Sequence, residues 1–222
     1  MSVDIFEFWS SVGPADKCHP KDREVLSRMK GAQLFDLRCL PHCFVGPLKT
    51  APVVLLYLSP GLDEKDDLRD ARTRAGRDRY MECRKGKQLL PGPEENRAGW
   101  QWWKSRTKDI GEWQQLRSKV AVLNIGPYHS KKLPNTSILA ALPSSRFTLE
   151  WAQSVLFPQA VSGERVVVCL RAARFWGLDT GKFGKRFGEA LFAPRTTRSG
   201  HMLYKRMREE IIEKARAAIG RA

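Results

Sequence analysis

Two short apolar runs constrain the fold of this chain most strongly, because each run ends in a small, polar turn. The first run is VVLLYL at residues 53–58, followed by SPGLD at 59–63. The second is VAVL at 120–123, followed by NIGPYH at 124–129. Apolar runs without alternation are typical of strands buried on both faces, as in a parallel sheet covered by helices. Ligands of such sheets bind beyond the carboxyl ends of the strands, where these two turns would lie.

The charge balance indicates what the ligand is. The chain has 222 residues, with 39 Lys and Arg against 24 Asp and Glu, giving a formal net charge of +15. A folded chain this basic is typical of proteins that bind nucleic acid, although charge alone also fits a basic protein without a specific partner. A hydrophobic content of 42% is enough for a real core, so the chain is not a disordered basic tail.

Other features of the composition bear on location and partners. The sequence has no apolar stretch of membrane-spanning length, and its first nine residues do not resemble a signal peptide. Five cysteines, an odd number, favour reduced thiols. We therefore expect a cytoplasmic protein without a membrane partner, and nothing in the sequence demands more than a monomer.

The order of predicted elements gives the fold class. We expect one domain, with a helical lead-in over residues 1–50 and an α/β core over 51–222. Residues 62–99 are highly charged and weak for helix, whereas the tryptophans at 100–103 are typical of a helix packing on the sheet. The prediction is a three-layer α/β/α sandwich with a central, mostly parallel, four-stranded sheet. The predicted strands are 53–58, 120–124, 165–170 and 190–193; the predicted helices are 3–9, 22–34, 147–155, 172–176 and 202–219.

Four short motifs follow one another along this order. They are YLSPG at 57–61, LN at 123–124, VVVCLRAA at 166–173 and PRTTRSGH at 194–201. Together they resemble the uracil-DNA glycosylase superfamily over roughly residues 40–219. The first stands where the family has a Gly-x-x-Pro-Gly motif, the second where an asparagine reads the base, and the last where a His-Pro-Ser loop precedes the final helix.

Three departures from the family pattern bear on the substrate. Tyr57 replaces the first glycine, Ser59 stands where many members have Asp or Asn, and the last loop lacks His-Pro-Ser. The resemblance therefore implies a base-flipping scaffold, with uracil or, more in keeping with these changes, a modified pyrimidine as substrate.

The resemblance implies roles for particular residues in extruding a nucleotide and hydrolysing its N-glycosidic bond. Asn124 and Gly61 would contact the base edge, and Tyr80 would stack on the base. Ser59 and Asp63 would position water. His201 would hydrogen-bond the departing base, with His129 as a second candidate for that task. The expected catalytic residues are Ser59, Asp63 and His201; the base-binding residues are Gly61, Tyr80 and Asn124; the DNA-binding residues are Arg195, Arg198, Lys131 and Lys132.

Several of these residues also have a purely structural interpretation. Asn124 and His201 could cap turns, and Tyr80 could pack in the core. Asp63 is followed by Glu64, Asp66 and Asp67, and such a run of charges is typical of a solvated loop. The basic residues between 69 and 87 would track phosphate without reading sequence.

We expect no cofactor and no metal. Some family members hold an iron–sulfur cluster, but the cysteine spacing here breaks that pattern. A zinc site is chemically possible, although a single Cys-x-x-x-Cys is weak evidence for one. Its ligands would be Cys18, Cys39 and Cys43, with His19, His42 or Cys83 as the fourth.

The sequence thus predicts a monofunctional DNA glycosylase that leaves an abasic site in single- or double-stranded DNA. It would act in base excision repair or, on a modified base of phage DNA, in antiviral defence. One alternative is a catalytically inactive member that binds DNA through the same cleft. Another is an unrelated hydrolytic enzyme of the α/β class that acts on nucleotides. A serine hydrolase is disfavoured, because the Gly-x-Ser-x-Gly elbow is absent.

Overall fold

The computed structural model describes residues 4–29, 35–133 and 136–222. Within these ranges the chain forms one six-stranded sheet. The strands are β1 (Phe44–Val45), β2 (Val53–Tyr57), β3 (Val120–Asn124), β4 (Val166–Cys169), β5 (Lys185–Phe187) and β6 (Leu191–Ala193). They lie in the order β1-β3-β2-β4-β6-β5. The four inner strands run parallel, and the two edge strands β1 and β5 are antiparallel to their neighbours.

The mixed α/β class is confirmed, whereas the predicted number of four strands is wrong. The four predicted strands are the four parallel ones, and the two additional strands lie at the edges of the sheet. β1 is only two residues long, and β5 is a short, largely exposed Lys-Arg-Phe segment. Neither carries the continuous apolar run that marks a strand buried on both faces, so the apolar pattern did not predict them. β1 also means that the lead-in is not purely helical.

Helices cover both faces of the sheet. They are α1 (Ile5–Ser10), α2 (Arg23–Arg28), α3 (Asp66–Arg72), α4 (Arg74–Cys83), α5 (Arg97–Thr107), α6 (Trp113–Leu116), α7 (Ser137–Ala141), α8 (Pro143–Trp151), α9 (Phe157–Val161) and α10 (Lys205–Arg221). Val54 and Leu56 face a core that includes α1, α8 and α9, whereas Val53 and Leu55 face a core that includes α5, α6 and α10. This division follows from the two-residue period of a strand.

The charged segment 62–99 forms helices over residues 66–72 and 74–83, contrary to the prediction, whereas residues 84–96 are not helical. It contains α3, α4 and the start of α5, each with a polar side chain at its N-terminus. The Asp63 carboxylate accepts from the Asp66 amide at 2.8 Å, the Thr73 hydroxyl from Gly76 at 3.2 Å, and the Asn96 carbonyl from Gly99 at 2.7 Å. Such caps satisfy amides that have no partner within the helix, which helps helices of low hydrophobicity to form.

Other predicted helices differ from the structure mainly at their ends. The helix predicted over 147–155 is α8, which continues through a π turn at Ala152–Leu156 into α9. The segment at 172–176 forms a short 3-10 helix, Ala173–Trp176, and the last helix begins at Lys205. The prediction over 22–34 corresponds to α2, and its residues 30–34 lie outside the described ranges.

A buried aspartate joins the lead-in to the core. Asp22 is fully buried, and its carboxylate accepts from the Tyr128 hydroxyl at 2.5 Å and from the Ser144 amide at 2.9 Å. Ser144 lies in the first turn of α8, which has no side-chain cap of its own. Asp22 therefore places a negative charge at the positive end of this helix.

Replacing Asp22 with alanine is expected to lower the free energy of unfolding by about 3 kcal/mol, because the Tyr128 hydroxyl and the Ser144 donors would remain buried without an acceptor. Urea denaturation measures this. Glu24→Ala, which removes an exposed carboxylate paired with Arg28, is the control and should change stability by less than about 0.5 kcal/mol. Equal effects of the two substitutions would contradict the role assigned to Asp22.

Two further observations complete the fold. Among the described residues, none of the helices is both long and apolar enough to cross a membrane. All five cysteines lie in the described ranges and carry free thiols.

Candidate functional site

A cleft of about 940 Å³ opens at the carboxyl ends of the parallel strands. Tyr57 and Asn124, the last residues of β2 and β3, lie at its floor, and the loops after β4 and β6 contribute Arg171 and Arg198. Helices α3, α4 and α5 supply much of the remaining wall. The cleft thus lies where the apolar runs and their turns predicted a ligand site.

The two predicted turns are hydrogen-bonded to each other. The Ile125 amide donates to the Tyr57 carbonyl at 3.2 Å, and the Gly126 amide donates to the Leu58 carbonyl at 2.8 Å. Parallel pairing of β2 with β3 therefore continues past the strand ends. As a result, residues 59–63 and 129–133 line the same cleft.

Asn124 lines the cleft and has an unpaired side-chain acceptor. Only 2% of the residue is exposed, and its side-chain Nδ2 donates to the His42 carbonyl at 3.0 Å. This bond fixes the orientation of the amide. The Oδ1 atom is buried and has no partner among the described residues. A buried acceptor without a donor costs free energy, and a ligand N–H would remove that cost.

His129 and Asp67 form a pair on one wall. His129 is 4% exposed, and its Nδ1 lies 2.7 Å from the Gly61 carbonyl and 3.2 Å from the Asp67 carboxylate. Since both neighbours are acceptors, Nδ1 carries the proton, and in the neutral ring Nε2 is the basic atom. Burial acts to raise the pKa of Asp67, but the hydrogen bond from His129, together with the charge of that ring when it is protonated, outweighs burial and leaves this pKa below its ordinary value. Asp67 is therefore a carboxylate at neutral pH.

His42 and Tyr80 form an aromatic part of the wall. Their rings are stacked, with centroids 5.4 Å apart and planes inclined by 13°. The ring of His42 also meets that of His129 edge-on at 5.2 Å. Burial, followed by the charge of His129, lowers the pKa of His42 well below its ordinary value, so this imidazole is neutral. Burial raises the pKa of Tyr80.

The predicted site residues divide between the cleft and its surroundings. Eight of the ten line the cleft: Ser59, Gly61, Asp63, Tyr80, Asn124, Lys131, Lys132 and Arg198. His201 is exposed and lies outside the lining; its amide donates to the Thr197 hydroxyl at 3.1 Å. Arg195 is also outside the lining and donates to the Gly181 carbonyl at 3.1 Å.

Two of the residues in the cleft also have structural partners. Asp63 caps α3, as described above, and its own amide donates to Asp67 at 2.7 Å. Lys131 forms an exposed ion pair with Glu64 at 2.7 Å. The capping bonds account for an aspartate at position 63 without any catalytic role, whereas Asp67 is more buried and contacts the histidine directly.

Four further residues of the cleft were not among the predicted site residues. These are His42, Asp67, Trp102 and Arg171. The sequence places Asp67 in a run of charges typical of a solvated loop, whereas its position on α3 brings it to the cleft. Arg171 directly follows an apolar strand, which is the position that identified Asn124, so the same signal was available for it.

Within the described ranges, no three His, Cys, Asp or Glu side chains come together in a way that would hold a metal ion. Cys39, Cys43 and Cys83 are buried, and burial raises the pKa of each thiol, that of Cys83 to about 11.

Comparison with protein-family models, with curated proteins and with solved structures gives no match to this chain.

Proposed function

We propose that this protein is a DNA glycosylase, which accepts an extruded nucleotide in the cleft and hydrolyses its N-glycosidic bond. The observation that carries the proposal is the buried, unpaired Oδ1 of Asn124 at the end of a parallel strand. The oriented amide accepts through Oδ1, and its second Nδ2 hydrogen is a further donor. This matches an imide or aminopyrimidine edge, which offers donors and acceptors side by side.

The size and lining of the cleft support a base as the ligand. Tyr80 and His42 provide stacked rings on one wall, and Trp102, which is 36% exposed, provides an indole on another. Aromatic faces stack on bases of any sequence. A volume of about 940 Å³ lies near the upper end for ligand sites, so a base with a bulky substituent would fit. A modified pyrimidine is therefore the preferred substrate. The fold that carries the cleft is a three-layer α/β/α sandwich.

The chemistry follows from the pair of His129 and Asp67. Water attacks C1′ of the sugar, and Nε2 of His129 accepts a proton from that water. The electron pair of the glycosidic bond leaves with the base, which then takes up a proton. The Asp67 carboxylate stabilises the imidazolium and the positive charge that develops on the sugar. His129 lines the cleft and His201 does not, so His129 replaces His201 as the proposed catalytic histidine. Its role changes from a hydrogen bond to the departing base to the activation of water, with Ser59 and Asp63 beside that water.

A DNA-binding protein without activity is the rival function. The net charge of +15 and the basic residues at the cleft would serve it equally well. The buried pair of His129 and Asp67 favours an enzyme, because binding DNA does not require a polarised imidazole inside a cleft.

The test is an incubation of purified protein with a panel of DNAs, each containing uracil or one modified pyrimidine, in single- and double-stranded form. Alkali cleavage reports abasic sites. Cleavage at one base would support the glycosylase and name its substrate. DNA retarded in a gel but never cleaved would favour the binding protein.

Gly61 offers a test of where the base lies. It lines the cleft, its φ is outside the left-handed region, and a β-carbon built on it has no neighbour within 4 Å. Gly61→Phe should therefore fold normally, fill the cleft and reduce base excision at least a hundredfold. Gly61→Ala is the size control and should stay within about threefold of wild type. Equal activity of the phenylalanine variant, measured in single-turnover excision, would place the base elsewhere.

A further inference from the structure

Among the described residues, three arginines without acidic partners lie at or beside the loops that follow β4 and β6. Arg171 follows β4, Arg198 follows β6, and Arg106 lies on α5. Arg171 and Arg198 line the cleft. Among the described residues, none of the three forms an ion pair with a carboxylate, although the chain forms many such pairs elsewhere. Clustered positive charge of this kind is costly unless an anion neutralises it.

Hydrogen bonds join the backbone segments that carry the three arginines. The Thr196 hydroxyl donates to the Leu170 carbonyl at 2.9 Å, which ties the loop after β6 to the end of β4. The Arg106 guanidinium donates to the Ser199 carbonyl at 3.0 Å, and its Cζ lies 3.6 Å from the centre of the Trp102 ring. α5 is therefore joined to the same loop. Such fixed geometry lowers the entropy lost when a ligand binds.

Tyr57 adds an unpaired hydroxyl at the same place. The residue is 4% exposed, lines the cleft, and its hydroxyl has no partner among the described residues. A β-carbon on Gly200, in the loop after β6, would lie 3.5 Å from this hydroxyl. Burial raises the pKa of Tyr57, so the phenol keeps its proton and can donate. The Arg106 Nε is likewise buried without a partner.

The electrostatics agree with this placement. Burial lowers the pKa of Arg171, and the nearby charge of Arg198 lowers it further. Burial also lowers the pKa of Arg106. Donors that are arranged in forks, positively charged and partly desolvated match the oxygens of a phosphate better than any neutral group.

We propose that Arg106, Arg171 and Arg198, with the Tyr57 hydroxyl, form a phosphate-binding site at the rim of the cleft. The identity of the ligand rests on the proposed function, since we take the phosphate to be the DNA phosphodiester beside the nucleotide whose base enters the cleft. The same chemistry would also hold the phosphate monoester of a free nucleotide, and the experiment separates the two sources. Ser59, Asn124 and His129 contact the base and sugar, whereas this site fixes the backbone.

The test measures the affinity for a duplex with a tetrahydrofuran abasic analogue between 50 and 300 mM salt, which requires no knowledge of the target base. Arg171→Gln should weaken binding about tenfold at low salt and reduce the slope of log K against log salt by about 0.9, the amount expected for one phosphate contact. Arg171→Lys keeps the charge and should keep the slope. Tyr57→Phe should weaken binding a few-fold with no change in slope, since no charge is lost.

The matched control is Arg174→Gln. This arginine lies close by in the chain but is exposed, stacks on Phe175 and does not line the cleft. Its removal should leave the affinity within about twofold. Far-UV circular dichroism checks that each variant folds. An unchanged slope for a folded Arg171→Gln protein would overturn the phosphate site.

The affinity is also measured for inorganic phosphate and for a deoxynucleoside 5′-monophosphate. We expect both to bind much more weakly than the duplex. Tight binding of the monophosphate that Arg171→Gln abolishes, with unchanged DNA affinity, would overturn the phosphodiester as ligand and favour a nucleotide-hydrolysing enzyme. A changed slope without any base release supports the phosphate site while the glycosylase proposal fails, so the two failures are distinguishable.

Discussion

Asn124→Ala should reduce base excision by about a thousandfold, the larger of the two strongest effects we expect. The substitution removes the buried Oδ1 and the Nδ2 donor that would recognise the base edge. Losing one preorganised hydrogen-bonding group in a catalytic site costs about 3–4 kcal/mol in transition-state stabilisation. Single-turnover excision on the substrate found in the DNA panel measures the loss.

The stability of the Asn124→Ala protein separates recognition from folding. It loses the bond to the His42 carbonyl, which costs about 1 kcal/mol, but it also loses an acceptor that had no partner. Gln115→Ala, which removes an exposed amide on α6, is the matched control. If Asn124→Ala retained excision within tenfold of wild type, the asparagine would not read the base.

His129→Gln should slow base release by about a hundred- to a thousandfold, within the range usual for removing a general base. Glutamine still offers a donor to the Gly61 carbonyl, where the Nδ1 of His129 lies at 2.7 Å, but it has no basic nitrogen. The expected effect is therefore on the rate of the chemical step, with DNA affinity little changed. Rapid-quench kinetics at saturating enzyme measure that rate.

His201→Gln is the matched control, and it compares the two histidines directly. His201 is exposed and outside the cleft lining, so its substitution should change the rate by less than about threefold. A larger loss from His201→Gln than from His129→Gln would return the catalytic role to the loop after β6.

The sequence predicted the parts of the fold whose signal is local. The inner strands are continuous apolar runs, so β2, β3, β4 and β6 were placed within one residue or so. Edge strand β5 is short and mostly exposed, and its pairing depends on β6 rather than on its own composition. Helices α3 and α4 are dominated by charge, which hides the apolar periodicity, and only their N-terminal caps mark them.

The candidate site was predictable where it follows from strand ends. Asn124 and residues 59–63 were identified because they directly follow buried strands. The position of a loop residue such as His201 is set by tertiary contacts, here a turn closed by Thr197, and sequence order alone placed it in the site. Asp67 reaches the cleft only because α3 forms. Its pairing with His129 could not be inferred from spacing along the chain.

The most direct test of the central claim is the chemical identification of both products from one substrate. The wild-type protein would be incubated with the DNA that the panel identifies, and mass spectrometry would quantify the free base and the abasic strand. We predict equal amounts of both, no strand cleavage before alkali, and no release by Asn124→Ala. Intact DNA throughout the panel, despite tight binding, would contradict the claim and leave a DNA-binding protein.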